Sequence, residues 1–192
     1  VLTVDVSGSM EALDFELEGK PVNRLEVVKN VVAKFVGERP NDKLGMVAFA
    51  GRPYLVSPLT LDHDFLGKRL ADLKMGQVED GTAIGSAIAS SVSHLKDSTA
   101  KSRIIILLTD GVNNAGAVNP LTAAEAAKAL GIKIYTIGAG TRGDAPVPVQ
   151  DAFGRTHLQT MKVEIDEEML REVAAATGGQ SFRATDTDSL EK

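Results

Sequence analysis

The chain contains no cysteine and no tryptophan, and aromatic residues make up only 4% of its 192 positions. Without cysteine there is no disulfide to staple the fold, though the compartment stays open, because many proteins of oxidising environments also lack it. So few aromatics leave little on which bases could stack. The net charge of -5, with acidic and basic residues interspersed, supplies no cationic nucleic-acid surface. No run approaches the roughly 18 consecutive apolar residues of a membrane span. The three histidines, His63, His94 and His157, are scattered along the chain and suggest neither a zinc site nor an acid–base centre. Gly81 to Gly85 lacks the lysine that a phosphate-binding loop of the G-x-x-x-x-G-K-[ST] type requires.

What is present is ordinary globular composition, 43% hydrophobic and 24% charged. A chain of this length suits one domain and buries roughly 70% of the surface its unfolded form exposes. Val1–Val6 already reads as a buried strand, with no starting methionine or leader before it. The expectation is therefore a single domain over 1–192, a fragment of a longer protein.

Val1–Val6, Arg103–Thr109 and Ile132–Gly138 are short, β-branched, nearly continuous apolar runs, the pattern of parallel strands covered on both faces. Leu44–Phe49 and Tyr54–Ser57, separated by Ala50-Gly51-Arg52-Pro53, read as an antiparallel hairpin. Helical spacing links Leu25 to Val36, Phe65 to Leu73, Ala83 to Leu95, Leu121 to Leu130 and Met169 to Thr177. Pro120 fits the start of the fourth helix and Gly131 its stop, while Asp166 fits the cap of the fifth. A final strand is expected near Gln180–Arg183. The alternation predicts a Rossmann-like α/β fold, an open and mostly parallel sheet with one antiparallel edge strand and helices on both faces. Residues 141–164 interrupt the pattern. Within them Val147–Gln150 and His157–Val163 are expected to pair across Asp151–Thr156 as a projecting hairpin.

In such a sheet, ligands bind at the carboxyl ends of the strands. The first strand ends in Asp5-Val6-Ser7-Gly8-Ser9, where alternation lets a loop turn the oxygens of Asp5, Ser7 and Ser9 to one side. Hard oxygens of this kind suit Mg²⁺, Mn²⁺ or Ca²⁺ and offer nothing soft to attract zinc. A second central strand delivers Asp110-Gly111 at its carboxyl end, and the loop Asp80-Gly81-Thr82 offers a further hydroxyl. Glu79 and Asp80 read as solvated loop carboxylates rather than as tuning groups or a second ion site, and Asn113-Asn114 as polar loop rather than as lining of the site.

Asp5-Val6-Ser7-Gly8-Ser9, Thr82 and Asp110-Gly111, in this order and on these elements, resemble the metal-ion-dependent adhesion site of von Willebrand factor type A domains. The resemblance covers essentially the whole chain. It implies that Ser7, Ser9 and Thr82 ligate one divalent cation, Mg²⁺ before Mn²⁺ or Ca²⁺, through their hydroxyls. It also implies that Asp5 and Asp110 act through metal-bound waters or as direct ligands. A cation touched by few carboxylates keeps most of its charge and seeks an anionic oxygen, here an acidic side chain supplied by a protein partner.

A closer resemblance is to bacterial Bat (Bacteroides aerotolerance) proteins. It is carried by Asn23-Arg24-Leu25, Arg39-Pro40-Asn41-Asp42, Pro58-Leu59-Thr60-Leu61-Asp62, the run Ile106 to Gly116, Gly140-Thr141-Arg142-Gly143 and Val163-Glu164-Ile165-Asp166-Glu167. It implies a full-length protein anchored in the bacterial inner membrane, with other Bat-like proteins or a MoxR-type AAA ATPase as partners. Two other functions stay open on the residues alone, a metal-assisted phosphohydrolase and a scaffold indifferent to metal. Hydrolysis also needs a positioned base, and no Ser/His/Asp or Cys/His arrangement is apparent. The expectation is a binding domain rather than an enzyme.

Overall fold

A computed structural model describes residues 1–17, 19–140, 143–150, 155–163 and 165–185. Its centre is a six-stranded sheet formed by β1 (Leu2–Asp5), β4 (Leu44–Phe49), β5 (Pro53–Thr60), β6 (Ile104–Thr109), β7 (Lys133–Ala139) and β10 (Ser181–Ala184). Their order across the sheet is β10-β7-β6-β1-β4-β5. Every pairing is parallel except β4 with β5, where the hairpin closes through the Ala50–Arg52 turn. The expected open α/β sheet with one antiparallel edge is the architecture found.

The pleat sends alternate side chains to opposite faces, and each face has its own core. Leu2, Val4, Met46, Ala48 and Leu108 pack beneath α1 (Arg24–Gly37) and α2 (His63–Ala71). Val47, Phe49, Ile105, Leu107 and Ile134 pack beneath α3 (Ile84–Leu95), α4 (Pro120–Ala129) and α5 (Glu167–Ala176). Helix ends follow the expected chemistry. Asn23, Asp62, Asn119 and Asp166 each accept a backbone N–H of the first turn of their helix, and Pro120 occupies the first turn of α4.

Two smaller ladders lie outside the sheet. β2 (Phe15–Leu17) pairs antiparallel with β3 (Lys20–Val22) between β1 and α1, a hairpin the sequence reading lacks. Its strands are three residues long and carry Glu16, Lys20 and Pro21, residues depleted in strands, so no alternation marks them. β8 (Gly143–Gln150) pairs antiparallel with β9 (Thr156–Val163). The turn expected at Asp151–Thr156 lies mostly outside the described residues. β8 begins four residues before the expected Val147, since its pairing with β9 starts at Gly143 opposite Val163, and the Pro146 carbonyl accepts Leu13 N–H at 2.8 Å. Ala145 and Val147 are buried against Ala12, which seats this ladder beside the loop that follows β1.

The chain runs from β1 outward to β4 and β5, then crosses back to β6 on the other side of β1. Strand order therefore reverses between β1 and β6. Their carboxyl ends, Asp5 and Thr109, splay loops in opposite directions and open a crevice there.

Candidate metal centre

Asp5 ends β1 on the α3 face and is fully buried. One of its oxygens accepts the Ser7 N–H at 2.9 Å, a turn that pulls the following loop back over the strand end. The other accepts the Thr109 hydroxyl at 2.6 Å, bracing β1 against β6. Beyond Ser7 the chain winds into a single 3-10 turn, Gly8–Glu11, anchored by the buried Met10. The turn brings the Ser9 hydroxyl to 3.0 Å from that of Ser7. Ser9 in turn donates to Asp110 Oδ1 at 2.7 Å, 101 residues away in sequence.

Thr82 arrives on a third loop. Its backbone N–H donates to Asn114 Oδ1 at 2.8 Å, and its carbonyl accepts Asn114 N–H at 3.1 Å. Asn113 Oδ1 accepts Gly85 N–H at 3.3 Å. These bonds lock the start of α3 to the loop after β6. The Thr82 hydroxyl lies so close to Gly111 that a Cβ there would sit 3.1 Å from it. The structure thus brings Asp5, Ser7, Ser9, Thr82 and Asp110 together from three loops, with all but the partly exposed Ser9 buried.

Glu79 and Asp80 are exposed, as loop carboxylates should be, yet neither is adrift. Asp80 Oδ1 accepts Gly8 N–H at 2.9 Å, and Glu79 pairs with Arg52 at 2.9 Å. Asn113 acts as a clamp on the start of α3.

Arg24 and Asp14, absent from the sequence-derived site, belong to this cluster. Arg24 is fully buried at the start of α1. Its Nη1 donates to Asp110 Oδ2 at 2.8 Å, its Nε donates to Asp14 Oδ1 at 2.8 Å, and its Nη2 also meets Asp14. One signal was available in the sequence. A cation in the first turn of a helix opposes the helix dipole, and buried Val27 and Val28 follow at helical spacing. An arginine there needs a carboxylate partner.

Asp5, Asp110 and Asp14 set three carboxylates against the one guanidinium of Arg24. Burial shows in the protonation of two of them. Burial, with Asp110 nearby, pushes the Asp5 carboxyl up to about 7. Burial also raises Asp110, an effect that the Arg24 charge opposes. A divalent cation held there would favour the ionised form of both carboxyls. The spacing fits one too. Ligands 2.0–2.1 Å from an octahedral Mg²⁺ lie about 3 Å apart along an edge, and the Ser7–Ser9 and Ser9–Asp110 oxygens are 3.0 and 2.7 Å apart. Among the described residues no three His, Cys, Asp or Glu side chains converge as a metal cluster. The available donors are hydroxyls and carboxylates, a hard set.

The family model for the von Willebrand factor type A domain matches residues 1–192. The chain belongs to this family. It is 35% identical over 191 residues to an uncharacterized protein of Borreliella burgdorferi, covering 100% of the chain and 55% of that relative. Among solved structures it is similar to BatB from Bacteroides thetaiotaomicron, with a TM-score of 0.82 and 30% identity over 99% of this chain and 91% of that one. It is also similar to an aerotolerance-related membrane protein from Bacteroides fragilis, with a TM-score of 0.81 and 28% identity over 99% and 92% of the two chains. The chain thus spans little more than half the length of the curated relative. In this von Willebrand factor type A domain the cluster of Asp5, Ser7, Ser9, Thr82 and Asp110 lies at the strand-order reversal. No helix among its described residues is long and apolar enough to cross a membrane.

Proposed function

We propose that this von Willebrand factor type A domain binds a protein partner through one divalent cation, Mg²⁺ before Mn²⁺ or Ca²⁺. Ser7, Ser9 and Thr82 supply hydroxyl ligands, while Asp5 and Asp110 hold the ion directly or through its waters. The observation that carries this reading is the chain of contacts Ser7–Ser9–Asp110, at 3.0 and 2.7 Å, beside a buried excess of carboxylate. The ion would supply positive charge at the mouth of the crevice. Neutral hydroxyls quench that charge less than carboxylates do, so the ion retains attraction for an anionic oxygen. A glutamate or aspartate of a partner fits that demand. The role is recognition rather than catalysis, because the site's polar groups are tied to one another as ligands and braces. The likeness to BatB and to an aerotolerance-related membrane protein supports placing this domain in a longer, membrane-anchored, Bat-like protein. In that protein it would form one unit over 1–192, with the ladder within 141–164 flanking the site.

Isothermal titration of Mg²⁺, Mn²⁺ and Ca²⁺ into chelator-treated protein tests the reading. One ion should bind the wild type, and the Asp5→Ala variant should lose it. Equal binding by the two proteins, or none by either, would reject the assignment.

A further inference from the structure

The contacts of Arg24 exceed what packing requires. Its side chain is fully buried, and it is the one cation that touches the Asp5, Ser7, Ser9, Asp110 cluster among the described residues. It divides a single charge between two carboxylates, Asp14 through Nε and Nη2 and Asp110 through Nη1. Asp110 is divided in the same way. Oδ2 is committed to Arg24 at 2.8 Å, and Oδ1 is turned to Ser9 at 2.7 Å. The fork therefore fixes which oxygen of Asp110 faces the crevice. The backbone makes room for this arrangement. Gly140 holds φ at +135°, and a Cβ there would lie 2.6 Å from the guanidinium carbon.

We propose that Arg24 is a positioning residue that sets the charge of the metal centre through Asp110, with Asp14 governing how much of that charge Asp110 receives. The inference rests on the cation-binding reading above and adds a control that the five ligand residues do not contain. Arg24 withdraws negative charge from Asp110, which weakens the hold of the protein on the cation. In exchange, the cation keeps more charge for an incoming carboxylate. Asp14 moderates the effect by sharing the guanidinium. Affinity for metal and affinity for the acidic partner are thereby set against each other by a residue that touches neither.

This arrangement predicts opposite effects from two substitutions on one ion pair. Arg24→Gln removes the positive charge and should tighten Mg²⁺ binding at least about tenfold, since a unit charge several ångströms away in a buried site acts at that scale or above. Asp14→Asn leaves the guanidinium to Asp110 alone and should weaken Mg²⁺ about tenfold by the same argument. Arg24→Lys keeps the charge without the fork and should restore much of the wild-type affinity. A purely structural Arg24 would make both Arg24→Gln and Asp14→Asn weaker binders.

The experiment is calorimetric titration of Mg²⁺ into the chelator-treated wild type and the three variants, with thermal melts alongside. Shifts of opposite sign support the inference. Loss of affinity in Arg24→Gln, or wild-type affinity in Asp14→Asn, overturns it. If Arg24→Gln does not fold, Arg24→Lys decides, because near wild-type affinity supports the inference and a loss of affinity overturns it. If the wild type binds no Mg²⁺, the cation-binding reading falls and takes this inference with it. Binding by the wild type with unaltered variants removes only the role of Arg24.

Discussion

The Thr109 hydroxyl donates to Asp5 Oδ2 at 2.6 Å, joining the carboxyl ends of two parallel strands across 104 residues of sequence. Both residues are fully buried, and the same Thr109 oxygen accepts Gly111 N–H at 3.2 Å. A single hydroxyl thus orients one carboxylate of the site and the loop that carries the other.

Thr109→Val keeps the shape of the side chain and removes that donor. A buried carboxylate oxygen then loses its partner, so the variant should lose about 1–3 kcal/mol of stability. Chemical denaturation of the metal-free protein measures this loss. A midpoint equal to that of the wild type would mean that Asp5 is oriented by Ser7 alone.

The raised pKa of Asp5 makes stability depend on pH in an unusual direction. Its carboxyl titrates near 7 in the folded, metal-free protein against 3.8 for a free aspartate, chiefly because of burial. Between those values the folded state holds a proton that the unfolded chain has released. The contribution of protonated Asp5 is therefore complete below about pH 4 and is lost as pH rises through 7. Its slope is at most about 1.4 kcal/mol per pH unit. Asp5→Asn should flatten this decline when melts of chelated wild type and variant are compared from pH 4 to 8. Saturating Mg²⁺ should oppose the decline in the wild type alone. Parallel pH profiles for the two proteins would contradict the burial of an ionisable Asp5.

Asn114 touches the site only through the backbone of Thr82, at 2.8 Å to its N–H. Asn114→Ala should loosen the Thr82 loop and weaken Mg²⁺ binding by about fivefold, near 1 kcal/mol, the worth of one part-buried hydrogen bond. Calorimetry reads the affinity, and a thermal melt shows whether the fold is unchanged. Undiminished affinity would show that the Asn114 N–H to Thr82 carbonyl bond and the Gly85–Asn113 bond suffice to hold Thr82.

Much of this arrangement is legible in the sequence, because buried parallel strands advertise themselves. Leu44–Phe49 is found with the expected bounds, and β1, β6 and β7 differ from expectation by a residue or two at their ends. Strand-end position then places Asp5 and Asp110 at the crevice once the order of elements is read. α2 runs from His63 to Ala71 rather than Phe65 to Leu73, since Asp62 caps Phe65 N–H and starts the helix early. What escaped the reading has little local signal. The β2–β3 hairpin is short and polar, and the docking of Pro146 on Leu13 joins distant segments with no shared motif. Arg24 escaped for a different reason. Its position at a helix start signals the need for a carboxylate partner, but Asp110 and Asp14 are distant or unmarked in sequence and only the fold reveals them as that partner.

The central claim is that one hard cation sits among Ser7, Ser9, Thr82 and the two aspartates. Anomalous diffraction from crystals of this domain grown or soaked with Mn²⁺ tests it most directly. The account predicts a single strong peak at the carboxyl ends of β1 and β6, within bonding distance of the Ser7, Ser9 and Thr82 hydroxyls. Mn²⁺ bound elsewhere with this crevice empty, or the same peak persisting in an Asp5→Ala crystal, would contradict it.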